Sequence, residues 1–268
     1  MAKQRFMVVD ISLCHDCNNC FIACKDEHVQ NEWLPYTDAQ PRHGHRWMNI
    51  ERKERGQYPR IDCAFLAMPC QHCKDAPCVK EHSDCVSKRE DGVVLIDPKK
   101  AAGKKAVVES CPYGTIYWNE EKNVPQKCTM CAHLLDDKGW VVPRCVHSCP
   151  TGAMEFHTVE QAEMDKIIAA EKLEQYRPEL KTNPNVYYKN LHRYTKCFIA
   201  GGILKGGDCA EGVKVTLKGD ATAEQTTNYF GDFKFDALLP GKYTISVGGK
   251  DVQTVEIKES LNMGSITI

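Results

Sequence analysis

Twelve of the 16 cysteines in this 268-residue chain fall into spaced runs. Cys14-x2-Cys17-x2-Cys20-x3-Cys24 has the spacing with which bacterial ferredoxins put three thiolates on one [4Fe-4S] cube and send the fourth to a neighbouring cube. Cys128-x2-Cys131, 13 further residues, then Cys145-x3-Cys149-Pro150 is the same motif opened between its second and third ligands. Cys70-x2-Cys73-x4-Cys78 stops one short, because His82 stands where a fourth cysteine is due. Cys111-Pro112 closes another run whose earlier positions hold Ala101, Lys104 and Val107.

The four missing donors, at positions 82, 101, 104 and 107, all belong to one site if the second run exchanges its last ligand with the third. Cys70, Cys73 and Cys78 are then completed by Cys111. The outer runs exchange likewise, Cys14, Cys17 and Cys20 with Cys149, and Cys128, Cys131 and Cys145 with Cys24. Any other exchange leaves a cluster short of a ligand and a cysteine stranded. The spacing therefore predicts three [4Fe-4S] clusters and about 12 iron atoms per chain, at four per cluster. The chemistry is one-electron transfer.

Zinc ribbons share the Cys-x2-Cys spacing, but a four-cysteine ferredoxin run followed by two Cys-Pro closures is rare in them. No hydrophobic signal segment precedes the apolar stretch Phe6-Met7-Val8-Val9, so a reducing, cytoplasmic setting with free thiols is expected. Cys63, Cys85, Cys197 and Cys209 fit no run and are expected to be buried structural thiols. Cys85, or His82 itself, is an alternative to Cys111 as the fourth ligand of the middle site. Cations such as Lys127 and Arg144 beside the runs would raise a cluster's potential.

These donors need elements to hold them. Phe6 to Ile11 reads as a strand feeding the first ligand loop. Residues 25 to 62 form a long insertion carrying Trp33, Trp47 and His43-Gly44-His45-Arg46, expected to face another subunit. Thr158-Val159-Glu160-Gln161 has the form of a capping box opening a helix that Pro178 ends. Residues 177 to 190 read as a linker. From about Lys196 the pattern changes to alternating stretches at 213–217, 233–235, 243–247 and 255–257, broken by Gly, Asp and Pro, which predicts a small antiparallel β-sandwich.

The expected fold class is α+β. Residues 1–62 and 112–195 form an outer ferredoxin-like module with the insertion and a C-terminal helix, and 63–111 form an inserted ferredoxin-like module with one cluster site lost. Together they make the double 4Fe-4S ferredoxin type, and 196–268 form a β-sandwich module. Thirty-five basic against 36 acidic residues leave no field for a nucleic-acid backbone, and no apolar run is long enough to span a bilayer. A protein partner is the expected one.

Residues 1 to about 155, with Cys-Pro-Tyr-Gly at 111–114 and Cys-Pro-Thr-Gly-Ala at 149–153, resemble the iron-sulfur subunits of the molybdopterin oxidoreductases related to dimethyl sulfoxide, nitrate and polysulfide reductases. The resemblance implies four runs paired first with fourth and second with third, in agreement with the ligand count. It departs from the family at His82, Ala101, Lys104 and Val107. It implies a heterodimer with a large catalytic subunit carrying molybdenum on two molybdopterin guanine dinucleotides, with no catalytic residue contributed by this chain. Three clusters with an appended β-module resemble the members whose large subunit moves a hydroxyl group between polyhydroxylated benzenes, the pyrogallol-to-phloroglucinol type. A reductase of an inorganic or sulfur compound, or a stand-alone ferredoxin-type carrier, are the alternatives. Tyr229-Phe230-Gly231-Asp232-Phe233 and Leu239-Pro240-Gly241-Lys242-Tyr243 resemble transthyretin-like modules of the collagen-adhesin B-repeat and carboxypeptidase regulatory-domain type.

Overall fold

The computed structural model describes residues 2–137 and 139–268, which divide into two compact units. The first holds residues up to Glu51 together with Phe65–Leu191, and the second holds Arg52–Ala64 with His192–Ile268.

In the first unit β1 (Gln4–Asp10) is the middle of a three-stranded sheet, antiparallel to β8 (Met154–Val159) and parallel to β9 (Val186–Lys189). Alternation along β1 sends Phe6 and Val8 to one face, where they pack with Met164, Leu173 and Tyr187. Val9, on the other face, lines a void among cysteines. Helix α1 (Asn19–His28) follows the first ligand loop. The hairpin of β2 (Met48–Gln57) and β3 (Arg60–Pro69) divides between the units, its distal part belonging to the second. Short pieces then surround the ligand loops: α2 (Pro77–Glu81), the hairpin β4 (Val86–Lys88) and β5 (Val94–Ile96), the hairpin β6 (Tyr117–Asn119) and β7 (Val124–Gln126), α3 (Ala132–Asp137) and α4 (Arg144–His147).

The capping-box reading is corrected here. Thr158 lies in β8, paired with Arg5, and α5 (Gln161–Glu171) begins only after Glu160. Backbone pairing to β1 outcompetes the local cap. The helix ends at Lys172, in the left-handed region, well before Pro178. Nor is 177–190 a mere linker, because Val186, Tyr187 and Tyr188 are buried as β9 and Thr182 and Asn185 are buried beside it. Within the insertion three rings pack inward. Trp47 is buried against the His28 ring, Trp33 stacks on His133, and buried His45 meets the Trp118 carbonyl at 2.9 Å.

The second unit is a sandwich of two sheets, preceded by α6 (His192–Thr195). One sheet orders β14 (Asp232–Leu238), β10 (Cys197–Lys205) and β17 (Leu261–Thr267), with β11 (Asp208–Cys209) turned back on the end of β10. The other runs β13 (Ala223–Thr226), β12 (Lys214–Gly219), β15 (Gly241–Val247), β16 (Lys250–Ile257). Ile199, Ile203, Val215, Leu217, Phe233 and Ile245 fill the space between them. The β10–β17 pair is parallel, so the sandwich is not wholly antiparallel as expected.

Residues Arg52–Ala64 join this unit instead of the outer cluster module. Buried Arg55 pairs with Asp62 and Asp236, and Arg193 and Lys234 also hold Asp62. Gly56, at φ 87°, lies so close to the Phe198 ring that an added Cβ would collide with it. A charged ring is thus closed around one carboxylate on the outer face of β10 and β14.

Candidate iron-sulfur sites

The ligand loops bend through left-handed non-glycine residues, Asp16 and Asn18 in the first, His72 in the second, and Met130 and Cys131 in the last. Such positions are sparsely populated and tend to be held where function needs them. Two of them have the same effect. The Met130 N–H donates to Cys128 Sγ at 3.3 Å, and the Asp16 N–H does the same for Cys14. Each bend aims a backbone dipole at the sulfur two residues before it, which stabilises a thiolate.

Helix α1 carries Cys20 and Cys24 four residues apart, on one face. Cys145 lies in α4 and Cys149 one turn on, and α1 packs on α4. Cys14, Cys17, Cys20 and Cys149 line one small void, with Val9, Ile50, Ala67 and Met154 as apolar walls. Cys70, Cys73, Cys78 and Cys111 line another, with His72, Val94, Ile116 and Lys127. The two are alike in donor count.

Cys24, Cys128, Cys131 and Cys145 form a third group, within electrostatic reach of one another. Burial, and then the neighbouring thiols, push Cys24 and Cys145 well above the ordinary thiol range. Burial likewise pushes Cys20, Cys73 and Cys131 up to about 12, and Cys78 and Cys128 to about 11. Thiols so placed ionise together only if positive charge is bound among them. The groups run in series, since Cys20 acts on Cys24 and Cys145, and Cys70 acts on Cys128. Among the described residues no three His, Cys, Asp or Glu side chains converge on a position for one metal ion. A zinc site would draw its thiolates to about 2.3 Å from a single centre.

The four positions without donors are occupied otherwise. Ala101 and Val107 are fully buried in an apolar core with Cys85, Val86, Ile96 and Ile116. Lys104 pairs with Asp84 at the surface, and His82 caps the end of α2. Cys85 packs within that core and does not line the void that Cys111 lines. Of the remaining thiols Cys63 and Cys209 are exposed and Cys197 is half-buried, so the expectation of buried structural cysteines fails at those three. Arg144 and Lys127 also differ. Arg144 pairs with Asp26 at 2.7 Å and Glu27 at 3.2 Å, whereas Lys127 is buried and pairs with carbonyls.

Hydroxyls complete the sites. Thr115 lies 3.3 Å from Cys111 Sγ and Thr151 3.6 Å from Cys149 Sγ. Thr182 meets Tyr113 Oη at 2.7 Å and hydrogen-bonds Cys73. Sequence reasoning missed Thr182, because it arrives from the stretch read as a linker.

Thiol quartets in series, two of them set around voids, with hydrogen bonds to sulfur, are the donor set of an iron-sulfur electron carrier. The family model for the 4Fe-4S dicluster domain matches residues 61–159. Over 274 aligned positions the chain is 52% identical to the pyrogallol hydroxytransferase small subunit of Pelobacter acidigallici, covering 99% of this chain and all of that one. It is 30% identical over 197 positions to a sulfite dehydrogenase subunit of Allochromatium vinosum, covering 69% of this chain and 82% of the relative. A tetrathionate reductase subunit of Salmonella typhimurium is 29% identical over 193 positions, covering 69% of this chain and 72% of its own length. The chain belongs to the iron-sulfur subunits of the molybdopterin oxidoreductases.

Proposed function

We propose that this chain is the electron-transfer subunit of a molybdenum hydroxytransferase acting on pyrogallol, and that it holds three [4Fe-4S] clusters. The ligands are Cys14, Cys17, Cys20 and Cys149; Cys24, Cys128, Cys131 and Cys145; and Cys70, Cys73, Cys78 and Cys111. When bound, each cluster supplies a one-electron acceptor whose charge is spread over its iron and sulfur atoms. The protein contributes the thiolates, the N–H and hydroxyl donors to sulfur, and walls such as Val9, Ile50 and Ile116 that keep water out.

The observation that carries this reading is the packing of Ala101 and Val107 into apolar core where a fourth set of donors would stand. It supports three sites instead of four, and the near full-length match to the pyrogallol hydroxytransferase small subunit supports the activity. The partner is a large subunit with molybdenum on two molybdopterin guanine dinucleotides, forming a heterodimer. Among the twelve ligands only Cys17 is exposed, and Leu13 and Ile22 of the same ligand segment are exposed apolar residues, which offers a contact point for electrons entering or leaving. Hydroxyl transfer is redox-neutral overall, so the chain sets the oxidation state of its partner and need not pass two electrons in each turnover. Among the described residues no helix is long and apolar enough to cross a membrane. The β-sandwich belongs to the transthyretin-like type.

Affinity purification of the tagged chain from its native host, under anaerobic conditions, tests the assignment. A stoichiometric large chain containing molybdenum and converting pyrogallol is the expected result. A large chain that reduces a sulfur or inorganic compound and leaves pyrogallol untouched would assign the other branch of the family.

A further inference from the structure

Lys127 is almost wholly buried, at 3% exposure, and lines the void of Cys70, Cys73, Cys78 and Cys111. It is also the residue before Cys128, a ligand of the neighbouring group, and Cys70 lies next to Cys128. Its ammonium donates to the Val94 carbonyl, and to the Cys128 carbonyl at 3.1 Å. The other side of the Val94 peptide is also held, because its N–H donates to His72 Nδ1 at 3.0 Å. Among the described residues no carboxylate forms an ion pair with Lys127. Carbonyl dipoles satisfy the donors but do not cancel a full charge, and a buried cation without a counterion is costly.

We propose that Lys127 is a potential-setting residue shared by two clusters, those of Cys70, Cys73, Cys78, Cys111 and of Cys24, Cys128, Cys131, Cys145. The countercharge is the thiolate set on either side, and both sets act electrostatically with this lysine, through Cys78 and Cys128. A reduced cluster is one charge more negative than an oxidised one, so the ammonium favours reduction at both. The lining of the void of Cys14, Cys17, Cys20 and Cys149 includes His15 but no lysine or arginine. One fixed charge thereby biases electrons toward these two sites and away from the third. Arg144, by contrast, is neutralised by Asp26 and Glu27.

The inference rests on the three-cluster reading, which iron analysis of the unmodified protein tests separately, so failure of one is not mistaken for failure of the other. The experiment is an EPR-monitored redox titration of the complete complex with wild-type, Lys127→Gln, Lys127→Arg and Lys104→Gln chains. Gln keeps an N–H for the Val94 carbonyl and removes the charge. The expected result is a fall at two of the three potentials in Lys127→Gln, the larger corresponding to a roughly tenfold loss in the reduction equilibrium, about 59 mV for one electron. The third potential, and all three in Lys127→Arg and Lys104→Gln, stay near wild type. Unchanged potentials in Lys127→Gln overturn the proposal, as does an equal fall at all three sites or a fall in Lys127→Arg as large as in Lys127→Gln. If the Gln chain does not load its clusters, Lys127→Met, which fills the same space with no polar atom, is read by the same criteria.

Discussion

Cys85 and Cys111 are both thiols within reach of the middle run's missing ligand, and burial alone would favour Cys85. Orientation decides between them, because Cys111 borders the void and hydrogen-bonds Thr115 while Cys85 packs among Val86, Ile96 and Val107. Cys111→Ala is therefore expected to lose one cluster, about four irons. Cys85→Ala keeps its iron and loses about 1 kcal/mol of stability, as a small buried deletion does. Iron content and a melting curve on the two variants separate the roles.

Asp62 gives a second prediction at this scale. Burial alone would raise its pKa, but hydrogen bonds from Lys234, Arg55 and Arg193 outweigh that and hold it well below the ordinary carboxylate range. A carboxyl whose folded pKa is depressed adds stability above its unfolded pKa and loses it as pH falls toward the folded one. Melting of the β-sandwich unit should therefore weaken progressively below about pH 4. Asp62→Asn should flatten that dependence, as circular dichroism across the acid range will show. Asp62 also shows what sequence hides. Its partners lie 7, 131 and 172 residues away, and no local pattern connects them.

At the scale of elements, what is legible in the sequence is what is local. The ligand runs are readable because Cys14, Cys17 and Cys20, and Cys70, Cys73 and Cys78, recur at short fixed spacing and the opened last run keeps its Cys-Pro closure, and strands β12, β14, β15 and β16 because their apolar alternation is intact. Strand β10 escapes such a reading because Phe198–Ile203 is buried on both faces and shows no alternation. Strand β9 escapes it because prolines and left-handed residues precede it, and its pairing is a parallel, long-range contact with β1. The hairpin of β2 and β3 is the clearest case, since its distal part folds with a module that begins over 120 residues later. Gly56 permits that fit. Gly56→Ala meets both a positive φ and the Phe198 ring, and is expected to cost about 1–3 kcal/mol. Thermal unfolding should assign the loss to the β-sandwich unit, with iron content unchanged.

At the scale of the whole molecule, two kinds of stability coexist in one chain. The second unit has a continuous apolar core of its own. The first has short helices and hairpins around thiol-lined voids, and metal-thiolate bonds supply much of what orders it. Removing iron with a chelator under reducing conditions should unfold the first unit and leave the second folded. Proteolysis of the stripped protein would then yield a resistant fragment within His192–Ile268, whereas degradation of both units together would show that they fold as one.

The central claim is that the losses at 82, 101, 104 and 107 remove one complete site and leave the others fully held. Iron and acid-labile sulfide, counted in the chain separated anaerobically from any partner, test it most directly. The account predicts about 12 of each per chain, four for each cluster. A count near eight or 16 would contradict it.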